Sequence, residues 1–172
     1  TVTATNNFEV DINTWSVIDG APGILGQVYA RIVDGATDGY GGLPGQPNSD
    51  TLRPPLPPPD HITVWSRLAY QTETVRSLMR DARGPLAVGT SKTFDLRVGY
   101  TGAVGGVMWW HLPVPDQSRY SFTLTTAWRT TYDMRTLSTI ELPVGEDGQT
   151  DVAVFVISNN TDTPTDTATD TP

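Results

Sequence analysis

The chain has no cysteine, a single lysine (Lys92), and two histidines, His61 and His111. Without thiols there can be no disulfides, zinc knuckles, iron–sulfur clusters or thiol catalysis. The histidines are 50 residues apart and form no His-x-His pair. That excludes the clustered His and Glu set that an enzymatic cupin needs. No apolar run approaches the roughly 18 residues of a membrane-spanning helix. Basic residues number 11 against 19 acids, so the electrostatic footprint of a nucleic-acid binder is missing. No Gly-x-Ser-x-Gly elbow, His-Glu-x-x-His pair or phosphate-binding P-loop occurs. These absences predict a protein that is not an enzyme, with no cofactor, metal or catalytic residue to assign.

What is present is unevenly chosen. The acids are 15 Asp and 4 Glu, the bases 10 Arg and 1 Lys, and Thr occurs 26 times in 172 residues. Asp over Glu, Arg over Lys and abundant Thr resemble proteins adapted to high salt. The Debye length there falls to about 3 Å at 1 M, and acidic surfaces cease to repel. A GC-rich genome would bias the codons the same way. Three of the acids, Asp162, Asp166 and Asp170, lie in a Thr-Asp-Pro tail over 160–172; without them the net charge of -8 becomes -5.

Alternation of apolar and polar residues predicts eight strands with one buried face. They begin at Phe8, Val28, Ile62, Phe94, Val107, Tyr120, Ser138 and Val152. In the first, the alternation slips near Asn13–Thr14, which predicts a bulge. The sixth is expected to run from Tyr120 to Trp128. The last, apolar on both faces, is expected to be central or covered on both sides. Val75, Leu78, Met79 and Ala82 follow helical spacing, which predicts one short helix over 72–83, stopped by Gly84–Pro85. A long Pro/Gly loop spans 34–60 and includes Pro54, Pro55, Pro57, Pro58 and Pro59. The expected fold is all-β: an eight-stranded antiparallel sandwich, a single jelly roll, with a domain over 1–159 and the acidic tail beyond it.

Several motifs have two readings. His111 could meet Asp116 or Asp95, but a plain structural histidine fits as well. Gly39–Tyr40–Gly41–Gly42 reads as a loop. Glu146–Asp147–Gly148 with Asp151 suits a hairpin turn or a calcium loop. Asn159–Asn160–Thr161 has the form of a glycosylation sequon. Trp15, Trp65, Trp109, Trp110 and Trp128 suit core packing, a subunit interface or a sugar platform. On a regular strand one of Trp109 and Trp110 must face away from the core. The candidate interface residues are the Pro-rich arm (Pro54, Pro55, Pro57, Pro58, Pro59), Trp109, Trp110 and the tail acids Asp162, Asp166 and Asp170. Arg76, Arg80 and Arg83 are candidate acceptors for a neighbour's tail.

A small, cysteine-free, Asp- and Thr-rich chain with eight strands resembles the small major capsid protein of haloarchaeal, membrane-containing icosahedral viruses. The resemblance rests on size, composition and strand count over Phe8 to Ile157. It implies an upright single jelly roll in the virion. Such a subunit would tile the shell with itself and a second capsid protein, near an internal viral membrane and without nucleic-acid contact. Inter-subunit disulfides, used in that group, are impossible here. A decoration, spike or tail protein and a carbohydrate-binding sandwich are the rival expectations.

Overall fold

The computed structural model describes residues 7–18, 21–22, 26–37, 50–52, 63–69, 77–101, 105–113, 119–146 and 149–160. Every regular element among them is a strand. Nine strands have four or more residues: β1 (Phe8–Ile18), β3 (Gly26–Ile32), β5 (Thr63–Ala69), β6 (Ser77–Arg83), β7 (Ser91–Thr101), β8 (Gly106–His111), β9 (Tyr120–Thr125), β11 (Thr139–Leu142) and β12 (Thr150–Asn159). Three are short: β2 (Ala21–Pro22), β4 (Thr51–Leu52) and β10 (Thr131–Asp133).

The strands form an all-β, jelly-roll-like sandwich. Hydrogen bonding runs β10-β9-β12-β7-β5 in one sheet and β6-β3-β1-β8-β11 in the other, with β2 beside β1 and β4 beside β6. The sheets join where β5 meets β6, through only Leu68↔Leu78 and Ala69↔Ser77. So narrow a seam lets the path fold over on itself. Phe8 of β1 then packs against β9, its ring centroid 4.9 Å from that of Tyr120 and 5.9 Å from that of Phe122. Near the seam the layers almost touch. A Cβ on Gly26 would clash with Thr14 Oγ1 and lie 3.0 Å from the Ser66 backbone nitrogen, so only glycine fits there.

The core is the set of inward positions read from the alternation. Phe8, Val10 and Ile12 on β1 and Val28, Ala30 and Ile32 on β3 face Phe94, Leu96 and Val98 on β7, Phe122 and Leu124 on β9, and Ala153, Phe155 and Ile157 on β12. Each fully buried side chain of Val to Phe size contributes about 1.5–3 kcal/mol by leaving water.

Four expectations change. The helix over 72–83 does not form: 77–83 is strand β6, and 72–76 lie outside the described residues. β6 pairs with β5 and runs parallel to β3, so tertiary pairing overrides a weak helical period. That parallel contact also departs from the all-antiparallel expectation. There is no bulge at Asn13–Thr14: β1 pairs with β3 and β8 in unbroken register through both residues. Thr14 and Ser16 continue the inward face as small buried polar residues, with Thr14 Oγ1 3.4 Å from Ser66 Oγ. The apparent slip came from Trp15 on the outer face. β9 ends at Thr125, and 126–130 turn into β10, with Arg129 at φ 63° and Thr126 N–H bonded to Thr130 O. β12 is central, between β7 and β9, as its two apolar faces predict, and no layer of the described residues covers its outer face.

Candidate functional site

Each sheet presents an outer face. On the β12 sheet the outward residues of the central strand are Val152, Val154 and Val156. Val154 stands between Asp95 and Thr125, and Val156 between Thr93 and Thr123. A row of valines thus runs down the middle of this face, bordered by Thr123 and Thr125 on one side and by Thr93, Asp95 and Arg97 on the other. Val152 is 42% exposed.

The opposite face is polar and aromatic. Strand register sets its side chains in rows across β6, β3, β1 and β8. One row is Arg80, Tyr29, Asp11 and His111. The next is Gln27, Asn13, Trp109 and, on β11, Thr139. Beyond it Trp15 faces Val107, which faces Glu141. On the other side Glu9 faces Arg31. Neighbours in a row are about 5 Å apart and successive rows about 7 Å apart.

Charge on this face is largely internally matched. Glu9 Oε2 accepts from Arg31 Nε at 2.8 Å, lies 2.6 Å from the terminal nitrogen Nη2 of the same arginine, and accepts from Arg80 Nε at 3.3 Å. The Arg80 guanidinium also lies 5.1 Å from the centre of the Tyr29 ring. Asp11 is different. Burial and then the charge of Glu9 raise its pKa, against the opposing pull of His111 and Arg80. The pKa of Tyr29 is likewise raised, by burial and then by Asp11 and Glu9, with Arg80 opposing.

A stability prediction follows for Asp11. Its pKa is higher folded than unfolded, so the folded state holds the proton more tightly. Between the ordinary carboxylate value and the raised one, stability falls as pH rises, and it stays lowered above that window. Asp11→Asn should therefore raise the thermal midpoint at pH 7 and flatten its dependence in the acid range. Melting curves of both proteins from pH 3 to 8 check this; a lower midpoint for the variant at pH 7 contradicts it.

The sequence-derived candidates separate here. Trp109 is 40% exposed on the outer face. Trp110 belongs to the core instead, its Nε1 donating to Met134 O at 2.9 Å and Leu137 O at 2.8 Å, so of this pair only Trp109 is offered to a partner. Pro54, Pro55, Pro57, Pro58, Pro59, Asp162, Asp166 and Asp170 lie outside the described residues, as do His61, Arg76, Asp116 and Gly39–Gly42. Arg80 and Arg83 are not open acceptors for a tail: Arg80 engages Glu9, and Arg83 is buried against Asp81. The carboxylate opposite His111 is Asp11; Asp95 lies in the other sheet. Among the described residues no three His, Asp or Glu side chains converge as a metal site would require.

The Gln149 N–H bonds Glu146 O at 3.0 Å, which closes a turn. It is no hairpin, because the flanking strands β11 and β12 belong to different sheets. Asn159 is buried and its amide donates to Leu86 O at 2.9 Å, so the sequon's acceptor nitrogen is committed to the fold.

Trp128 projects from the 126–130 turn and is 38% exposed. With Glu141, Leu142 and Pro143 it lines an open cleft of about 380 Å³.

The alternation indicated that one Trp of the 109–110 pair faces outward. It could not indicate the rows, which depend on which strands become neighbours. Compared with models of known protein families, with curated proteins and with solved structures, the chain matches none.

Proposed function

We propose that the protein is a structural subunit of a viral shell, tiling with copies of itself and with a second capsid protein in the virion. One observation carries this reading: the row Val152, Val154 and Val156 lies outward at the centre of a sheet, where no described layer of the chain covers it. A solvent-facing sheet normally alternates apolar-in with polar-out. A central strand with apolar residues on both faces, Ala153, Phe155 and Ile157 inward and valines outward, instead suits a sheet that packs on a neighbour, as β-branched sheet faces do in sandwiches. The Thr93, Thr123 and Thr125 border provides hydroxyls for a polar rim, the usual arrangement around an apolar interface centre.

Composition adds the salt dependence. With 19 acids against 11 bases, neighbouring subunits repel at low ionic strength and pack when the charges are screened. The reading places the subunit in a shell near an internal lipid membrane, with no contact to the genome.

Sedimentation of the purified chain in about 3 M and about 0.1 M salt tests the proposal. Oligomers are expected in high salt and dissociation in low salt. Val154→Asp places a carboxylate beside Asp95 at the centre of the row and should weaken association at least tenfold, while leaving the circular dichroism of the monomer unchanged. A wild-type chain that stays monomeric at high concentration in both buffers, alone and with the other shell protein, overturns the reading.

A further inference from the structure

The polar face of the β6-β3-β1-β8 sheet has a composition that assembly through the valine row does not use. We infer that it is a binding site for a neutral saccharide, with Trp109 as the stacking platform and Asp11, Asn13 and His111 as the groups that meet the hydroxyls. The inference is independent of the shell proposal, because the two faces belong to opposite sheets.

Three observations carry it. The first is Trp109. It stands in the middle of a strand, 40% exposed, with β1 on one side and β11 on the other. An indole exposed at such a position can stack on the C–H side of a pyranose, and its planar ring loses little entropy on contact.

The second is Asn13. It is only 1% exposed, although it belongs to the outer row between Gln27 and Trp109. Its Oδ1 is buried with no hydrogen-bond partner. A buried carbonyl oxygen without a donor costs about 1–3 kcal/mol, and such groups call for a reason. A sugar hydroxyl is the donor the fold does not supply. Trp109 is the register partner of Asn13 on β8, so a sugar stacked on the indole would lie beside this oxygen.

The third is the adjacent row. Asp11 and His111 lie directly opposite each other, two residues along their strands from Asn13 and Trp109 and so on the same face. A carboxylate can accept from one hydroxyl while the imidazole N–H beside it donates to the neighbouring one, the pattern that vicinal diols require. The raised pKa of Asp11 agrees with a carboxylate kept in a desolvated place at a cost in stability, as binding groups often are.

Charge selects the class of sugar. The guanidiniums of Arg31 and Arg80 both engage Glu9, so the cations nearest the site are already matched. A sulfated or carboxylated sugar would meet Asp11 and Glu9 without a compensating arginine. A neutral hexose or N-acetylhexosamine meets no such penalty.

The test is titration of the intact chain, by tryptophan fluorescence and ligand-observed NMR, with oligosaccharides of glucose, mannose, galactose and N-acetylglucosamine, and with a heparin fragment as the anionic arm. Saturable binding of at least one neutral sugar is expected. Trp109→Ala should weaken it at least tenfold and Asn13→Ala about tenfold, the fold-change of one lost contact of about 1.4 kcal/mol. Trp128→Ala, whose cleft includes none of Trp109, Asn13, Asp11 or His111, should leave it unchanged. Asn13→Ala should also unfold at the same urea concentration as the wild type or a higher one, which a purely structural asparagine would not do. No saturable neutral sugar, binding by heparin alone, or binding that survives Trp109→Ala would each overturn the inference.

Discussion

Replacing Asp81 with alanine is expected to destabilise the protein by about 3–5 kcal/mol, the usual cost of leaving a buried charge without its partner. Asp81 and Arg83 are 6% and 4% exposed. Two residues apart on β6, they share a face of the strand, the same face as Ala30 and Ile32 on the parallel neighbour β3. Arg83 Nη2 lies 2.8 Å from Asp81 Oδ2, and its Nε is 3.2 Å from both carboxylate oxygens. Its Nη1 donates to Thr93 O on β7 at 2.6 Å, and the guanidinium sits 4.0 Å from the centre of the Phe94 ring. The arginine thus ties the two sheets together near the seam, and the carboxylate is what makes its burial tolerable. Without Asp81 the cation remains in place, desolvated and half-coordinated. A domain of ordinary stability holds about 5–15 kcal/mol in total, so the loss is a large share. Urea unfolding measures it. The double variant Asp81→Ala with Arg83→Met should recover most of the loss, because removing both charges leaves no unpaired group. A single-variant cost under about 1 kcal/mol would mean that Arg83 finds water or another acceptor.

The same two residues explain why this strand was illegible. Val75, Leu78, Met79 and Ala82 happen to fall at helical spacing, and in a short apolar segment that period does not decide between helix and strand. The decisive signal was chemical. On a helix, positions 81 and 83 point apart; on a strand they share a face, and only there can Asp81 and Arg83 bury each other. The other long strands were legible because their inward positions are large and apolar, as in Phe94, Leu96 and Val98, or Phe122 and Leu124. Thr14 and Ser16 misled for the opposite reason. They face inward as polar residues because the sheets come too close at Gly26 and Ser66 for anything larger. A close approach between strands far apart in the chain leaves no local pattern.

The candidate sites divide the same way. That Trp109 faces outward follows from its position beside Trp110 and the two-residue period of a strand. That Asp11 meets His111, 100 residues away in the chain, depends on β1 and β8 becoming neighbours. The Arg80–Tyr29 contact needs the parallel β3–β6 pair, which no hairpin signal announces. The valine row is intermediate. Apolar residues on both faces of β12 indicated a central strand, and only the strand order shows that one of those faces is left uncovered.

Gly145→Ala is the second large effect, expected at about 3 kcal/mol, the upper end of the range for overfilling a packed site. Gly145 lies in the crossing from β11 in one sheet to β12 in the other. A Cβ there would run into the face of the Tyr100 ring, colliding with Cγ and lying 2.6 Å from both Cδ atoms. The ring has little room to yield, since Tyr100 is 1% exposed and belongs to the core. The backbones are held too, and by one residue. Gln149 O accepts from Tyr100 N–H at 2.9 Å, Gln149 N–H donates to Glu146 O at 3.0 Å, and Gln149 Oε1 accepts from Glu146 N–H at 2.8 Å. The clamp fixes the crossing against the tyrosine from both sides, so a shift that admits the methyl group must break some of these bonds. The requirement is for space, unlike a glycine chosen for a left-handed turn. A double-mutant cycle separates the two cases: combined with Tyr100→Ala, which removes the ring, Gly145→Ala should cost at least about 1 kcal/mol less than it does alone. Equal costs with and without the ring would show that the crossing carries the strain and the packing does not. Because β12 begins at Thr150, just beyond the clamp, loosening the crossing should also blur the register of the valine row. The variant should then lose association in high salt at temperatures where its core is still folded.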